Sequence, residues 1–199
     1  MRTFQKICVF CGSSAGSRPE YAEAARRTGE TLAHRGITMI YGGGSVGLMG
    51  VAADAALGAG GKVIGVIPHG LRTKELAHKG VTELIAVESM HERKQRMVDL
   101  ADAFVALPGG IGTMDELFET WTWLQLGIHS RPIGLLNVAG YFDPLLAFLQ
   151  RMRDERFIRS LHLRTLLMDE SIDGLLGRLE RFQAPDGRKW VEDGAPLEP

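Results

Sequence analysis

The residues with the clearest chemical potential stand together in Leu107-Pro108-Gly109-Gly110-Ile111-Gly112-Thr113-Met114-Asp115-Glu116. Glycines allow a tight turn and leave backbone N–H groups uncovered, and a helix opening behind them adds the positive end of its dipole. Such a turn suits a phosphate, with the Thr113 hydroxyl as a further donor and the Glu116 carboxylate one helical turn deeper, near whatever the anion is attached to. The same residues spell Thr113-x-x-Glu116, a capping box in which Thr113 caps the N3 amide and Glu116 reaches back. Taken alone, the residue types leave the structural and the catalytic readings open.

A second cluster, Glu92, Arg93, Lys94 and Arg96, falls in the first turns of a helix that Ser89-x-x-Glu92 opens as another capping box. Cations oppose the dipole at a helix N-terminus, so the cluster is either a solvated basic face or a set of groups with another purpose. An arginine there could hold a phosphate or ribosyl oxygen bidentately. Cys8 and Cys11 form a C-x-x-C, but three residues apart on a strand they point to opposite faces and read as buried, reduced thiols. His69, His78, His129 and His162 have no metal-ligand spacing and read as surface or loop residues, so no metal site is expected.

The elements that must position these groups follow from hydrophobic periodicity and from Gly and Pro punctuation. Short apolar runs predict strands over 7–11, 37–41, 62–67, 84–87, 103–107, 132–136 and 164–168. Amphipathic patterns predict helices over 19–35, 48–58, 89–100, from the glycine turn to about 127, and over 143–153 and 171–182. Residues 71–80 are polar and aperiodic, although 74–78 could make one helical turn. Alternating elements with continuously apolar strands mean a Rossmann-like, doubly wound α/β sheet, mainly parallel, with helices on both faces.

In such a fold ligands bind beyond the carboxyl ends of the strands. Three turns collect there, 12–14, 42–47 and 109–113, which makes Ser14 and Gly43 further candidates for substrate contact. The G-x-G-x-x-G of 42–47 is not read as a dinucleotide fingerprint. It follows the second strand, and the next strand leads to Pro68 and His69 rather than to an acid that would hold a ribose. On the helix after the glycine turn, Met114, Leu117, Phe118, Trp121 and Leu124 form a core stripe. Glu116, Glu119, Thr120, Trp123 and Gly127 lie on another stripe, assigned to the pocket and to a helix-paired dimer interface.

The 199 residues carry a net charge of −1, which gives no general attraction to nucleic acid or membranes. No apolar run is long enough to span a bilayer, and the first residues lead into a strand without a secretory segment, so the expected location is cytoplasmic. Residues 1–183 read as one nucleotide-binding domain and 184–199, rich in Pro, Gly and charge, as a flexible tail.

Pro108-Gly109-Gly110-x-Gly112-Thr113-x-x-Glu116, preceded by Met90-His91-Glu92-Arg93-Lys94, resembles the signature of the Lonely Guy (LOG) family of cytokinin riboside 5′-monophosphate phosphoribohydrolases. The likeness extends through Val9 to Ser14, Tyr41 to Gly50, Val63 to Pro68 and Trp123 to His129. It implies a homodimer of Rossmann-like subunits that hydrolyses the N-glycosidic bond of an adenine-type nucleoside monophosphate without a cofactor. Carried over by motif, Arg93 and Glu116 are the catalytic pair. Glu75, Arg93, Lys94 and the loop of Gly109, Gly110, Ile111, Gly112, Thr113, Met114 and Asp115 match the nucleotide-contacting positions. Ile111, where many members have an aromatic, and Asp115, where they have Glu, depart from the pattern and leave base preference open.

The chemistry agrees. Cleaving C1′–N9 passes through an oxocarbenium-like sugar, which needs a fixed negative charge near C1′ and a placed water but no metal. Two other readings compete. One is a non-catalytic carrier of a nucleotide or phosphorylated cofactor, which would use the same turn. The other is a lysine decarboxylase, a label attached to this motif that demands a Schiff-base lysine and pyridoxal phosphate, for which no lysine stands out.

Overall fold

The continuous apolar runs form strands β1 (Lys6–Phe10), β2 (Thr38–Tyr41), β3 (Val63–Pro68), β4 (Glu83–Val87), β5 (Ala103–Ala106), β6 (Ile133–Leu136) and β7 (Leu166–Asp169). Between them lie helices α1 (Pro19–His34), α2 (Gly47–Gly58), α3 (Met90–Leu100), α4 (Ile111–Gln125), α5 (Asp143–Asp154) and α6 (Ser160–Leu163), and α7 (Ile172–Arg181) follows β7. The computed structural model describes residues 2–71 and 77–185. Its seven strands pair in parallel in the order β4-β3-β2-β1-β5-β6-β7.

The chain winds outward from β1 to β4, then crosses back to set β5 on the other side of β1. Cys8 is paired with Phe104 and Phe10 with Ala106. This reversal is the topological switch point, where the two halves diverge and leave a crevice beyond the strand ends. Gly12 follows β1 and the Pro108-Gly109-Gly110 turn follows β5, so the two glycine turns touch where the halves diverge.

Alternation along each strand divides the core in two. Ile7, Val9 and Cys11 pack on the side of α1, α2 and α7, while Cys8 and Phe10 pack on the side of α3, α4 and α5. The two cysteines therefore lie in different halves, both buried and free. Burial and the nearby Glu116 charge push both thiols up, so they stay protonated. The stripe of α4 behaves as expected, with Leu117, Trp121 and Leu124 buried and Met114 and Phe118 packed against them.

Several local expectations are corrected. Gly110, extended at φ −89° and ψ −156°, is the N-cap of α4, and its carbonyl accepts the first helical bond, from Met114 N at 3.1 Å. Thr113 is thus the third helical residue and caps nothing, so the capping-box reading of Thr113-x-x-Glu116 fails. Ser89 does cap α3, accepting from Glu92 N at 3.1 Å, while Glu92 reaches back to Glu88 N at 2.8 Å.

His78 and His162 are buried rather than at the surface, and both ring nitrogens of His78 have partners, Asp54 Oδ1 at 2.9 Å and Gly80 N at 3.1 Å. His78 is also not helical. Its neighbour Ala77 bridges Gly44, and its own N–H donates to Gly43 O at 3.0 Å. The short helix α6 and the single turns His69–Leu71 and Val138–Gly140 were not anticipated, being too brief to show a period. Glu75 and residues 186–199 lie outside the described residues.

Candidate active site

Arg93 occupies the first turn of α3, which points it back under the ends of β2 and β3. Its Nε donates to Val66 O at 3.2 Å and its Nη2 to Gly42 O at 3.1 Å, while Nη1 lies 3.8 Å from the sulfur of Met90. The residue is only 6% exposed. A Cβ on Gly42 would sit 2.1 Å from Nη2, so glycine at that position is what admits the guanidinium.

From the opposite side α4 delivers Glu116, whose side chain is 11% exposed and whose Oε1 lies 3.9 Å from Arg93 Nη2. A largely buried carboxylate beside a guanidinium that is already tied to two carbonyls is a fixed charge pair. Arg93 was read from sequence as one member of a basic cluster; burial separates it from its neighbours.

The turn itself is crowded. A Cβ on Gly109 would stand 2.1 Å from Thr113 Oγ1 and 2.8 Å from Gly12 N, so only glycine lets the β1 and β5 turns meet. Gly12 N donates to Pro108 O at 3.1 Å, and Gly12 O accepts from Leu48 N at 3.0 Å at the start of α2. The N-termini of α2, α3 and α4 are thereby gathered at one end of the sheet.

Lys94 does not point into open space. Its ammonium bridges Asp115 at 3.1 Å and Glu119 at 3.0 Å, tying α3 to α4. Burial works against its charge, but the bonds to Glu119 and Asp115 outweigh that and hold the group above its ordinary value. Ile111, 90% exposed, and Met90, 41% exposed, are apolar side chains left open to solvent at the starts of α4 and α3.

The fold therefore brings Arg93, Lys94, Glu116, Gly43 and the loop 109–115 to one end. Gly43, at φ +81°, turns the chain there. Ser14 is exposed at the same end, where its Oγ accepts from Gly16 N at 3.4 Å. Met114 packs into the core, which leaves only its backbone for a ligand.

Sequence reasoning missed Tyr141, whose hydroxyl donates to Gly109 O at 2.5 Å. The signal available was its place just after β6, at the carboxyl end. It also missed the His78–Asp54 pair, 2.9 Å apart, beside the Gly43 turn. Among the described residues no group of three or more His, Cys, Asp or Glu is arranged to hold a metal ion. No helix there is long and apolar enough to cross a membrane.

Comparison with known proteins gives this geometry a context. Over 182 residues the chain is 48% identical to a probable cytokinin riboside 5′-monophosphate phosphoribohydrolase of Oryza sativa subsp. japonica, covering 92% of this chain and 74% of the relative. Over 180 residues it is 48% identical to a cytokinin riboside 5′-monophosphate phosphoribohydrolase of Arabidopsis thaliana, covering 90% of this chain and 83% of the relative. The chain belongs to the LOG family.

A family model described as possible lysine decarboxylase matches residues 49–179. The described lysines do not suit a Schiff base. Lys6 precedes the bulk of β1 at the far end of the sheet, Lys62 and Lys79 are exposed, and Lys94, the one at the site, is held protonated by two carboxylates. Among solved structures, the molybdenum cofactor binding protein of Rippkaea orientalis superposes with a TM-score of 0.66 at 22% identity, covering 89% of this chain and 96% of that one. That likeness concerns the fold.

Proposed function

We propose that this LOG family member hydrolyses the N-glycosidic bond of adenine-type nucleoside 5′-monophosphates, cytokinin riboside monophosphates or AMP, to free base and ribose 5-phosphate. The observation that carries the proposal is the buried Arg93–Glu116 pair, 3.9 Å apart, beside a glycine turn at the switch point of the sheet. Arg93 and Glu116 are the catalytic residues. Gly109 to Asp115 bind the phosphate and ribose, with Gly43, Ser14, Lys94 and Glu75 as further substrate-binding positions.

The arrangement supports a role for each group in the reaction. The 5′-phosphate binds the uncovered N–H groups where α4 begins, which uses remote binding to place the reacting bond. Glu116 stabilises the positive charge that develops at C1′ and polarises the attacking water, whose oxygen bonds to C1′ as the bond to N9 breaks. The water gives up a proton as it bonds to C1′ and the departing base takes one up, so the elements of one water are added across C1′–N9. Arg93, immobilised by Val66 O and Gly42 O, holds Glu116 and the ribose in register.

A cytoplasmic location is supported by two buried, unpaired cysteines, which suit a reducing compartment. A homodimer is supported by Leu126 and Ile128, exposed at the end of α4, and a monomer in solution at micromolar concentration would overturn that part. A net charge near zero supports a small-molecule partner rather than nucleic acid.

Base release followed by chromatography tests the activity, with AMP, isopentenyladenosine monophosphate and its dephosphorylated riboside as substrates. Glu116→Ala should slow release from either monophosphate by about a hundred- to a thousandfold. The riboside should react poorly with the unaltered protein, and the ratio between the two monophosphates reports base preference. Tight nucleotide binding with no release from any monophosphate would move the assignment to a carrier.

A further inference from the structure

The loop after β6 is built in a way that packing alone does not require. Asn137, buried, donates from Nδ2 to Asp143 Oδ1 at 2.7 Å and accepts at Oδ1 from Phe142 N at 2.8 Å, closing 137–143 into a compact turn. Within it Ala139 adopts φ +50° and ψ +35°, a left-handed conformation that an alanine resists, followed by Gly140 at φ +71°. Arg18 Nη1 holds Ala139 O at 3.3 Å.

The product of this construction is the placement of Tyr141. Its ring stands edge-on between Tyr21 and Phe142, with centroids at 5.6 and 5.1 Å, and is 37% exposed. Its hydroxyl reaches Gly109 O at 2.5 Å. A hydrogen bond at so exposed a place adds little to folding stability.

It does, however, decide a direction. The peptide bonds of the described residues are all trans, and in a trans peptide the N–H points opposite to the carbonyl of the same unit. With Pro108 O bonded to Gly12 N and Gly109 O bonded to the Tyr141 hydroxyl, two successive carbonyls are held by the fold. The N–H groups of Gly109 and Gly110 are thereby turned the other way, to continue the uncovered N–H groups that open α4.

Resting on the phosphoribohydrolase reading, we propose that Tyr141 is a positioning residue: its hydroxyl fixes the Gly109–Gly110 peptide so that the Gly110 N–H faces the 5′-phosphate. Tyr141→Phe keeps the ring contacts and removes only that bond. Calorimetric titration with ribose 5-phosphate and, separately, with adenine compares the variant with the unaltered protein.

The expected result is ribose 5-phosphate binding weakened about tenfold, adenine binding unchanged and the melting temperature held within about two degrees. Tyr141→Ala, which also removes the ring, should weaken ribose 5-phosphate at least as much. Unchanged ribose 5-phosphate affinity in Tyr141→Phe overturns the proposal. So does equal weakening of both ligands with a lowered melting temperature, or a failure of the unaltered protein to bind ribose 5-phosphate. Base release by the unaltered protein with Tyr141→Phe inert in titration sinks only the role of Tyr141. A Tyr141-sensitive phosphate site without base release sinks only the hydrolase reading.

Discussion

Two arginines at opposite ends of the same sheet, Arg93 buried and Arg131 half-buried, both donate to backbone carbonyls. Arg93, at the carboxyl end, donates to Val66 O and Gly42 O. Arg131, at the amino end, donates from Nη1 to Val98 O and to Ala101 O, the latter at 2.9 Å, closing the last turn of α3. What differs is the rest of the shell. Arg131 lies over the ring of Phe104, 5.4 Å from its centroid, and beside His129, whose Nδ1 accepts from Arg131 N while Nε2 meets Thr120 O.

In that amino-end group Arg131 Nη1 and both ring nitrogens of His129 have partners from the fold, and among the described residues no carboxylate pairs with the guanidinium. Arg93 has Glu116 across from it and glycine turns in front of it. A buried arginine on backbone carbonyls is therefore ordinary helix-end chemistry. The neighbouring carboxylate and uncovered N–H groups are what single out the carboxyl end as the proposed site.

This contrast can be broken at Gly42. In Gly42→Ala the new methyl would fall 2.1 Å from Arg93 Nη2, so the guanidinium must leave Gly42 O and swing from Glu116. Base release should fall by about a hundredfold, equivalent to about 3 kcal/mol in the barrier, with the fold retained. Activity near that of the unaltered protein would mean that the Arg93 position seen here is not the working one.

The opposite substitution sharpens it. Arg131→Met leaves Val98 O and Ala101 O without their donor and should cost about 2 kcal/mol in urea unfolding. At a temperature where the variant is folded, kcat/KM should be unchanged. A selective loss of kcat would assign the amino end a part in catalysis.

The smallest effect is the pH dependence of stability. Burial, then the charge of Arg131, lowers His129 to about 4, and burial, then Arg159, lowers His162 to about 4. Both are depressed from an ordinary value near 6.5, so the unfolded chain takes up protons first on acidification. Their stabilisation is complete above about pH 6.5 and is lost as the pH falls toward 4, by about 1 kcal/mol in all after allowance for partial exposure. Thermal unfolding between pH 7.5 and 4.5 should show the decline, and it should shrink in His129→Gln. A flat profile would mean that these rings are not held neutral.

The pattern of local signals explains how much of this was legible. Short continuous apolar strands separated by amphipathic helices specify a doubly covered parallel sheet, because only strands buried on both faces lack alternation. Glycine turns after the first, second and fifth strands mark its carboxyl end, and the motifs around Arg93 and Glu116 point to the residues of the proposed site. Residue spacing did not separate Arg93 from Lys94, adjacent and alike in charge. Helix rotation alone turns one under β2 and β3 and the other toward Asp115 and Glu119.

Nor could spacing show that Thr113 lies inside α4 rather than capping it. That depends on the extended backbone of Gly110 and on Gly12, nearly a hundred residues away in sequence, filling the space beside Gly109. The sequence by itself determined the elements, their class and the chemistry available at one end of them, since those follow from local periodicity and residue type. Tertiary structure alone decided the 3.9 Å meeting of Arg93 with Glu116, the burial of His78 and His162, and the reach of Tyr141 to Gly109. Each of these joins distant strands and helices, and its geometry is set by how the two faces of the sheet pack.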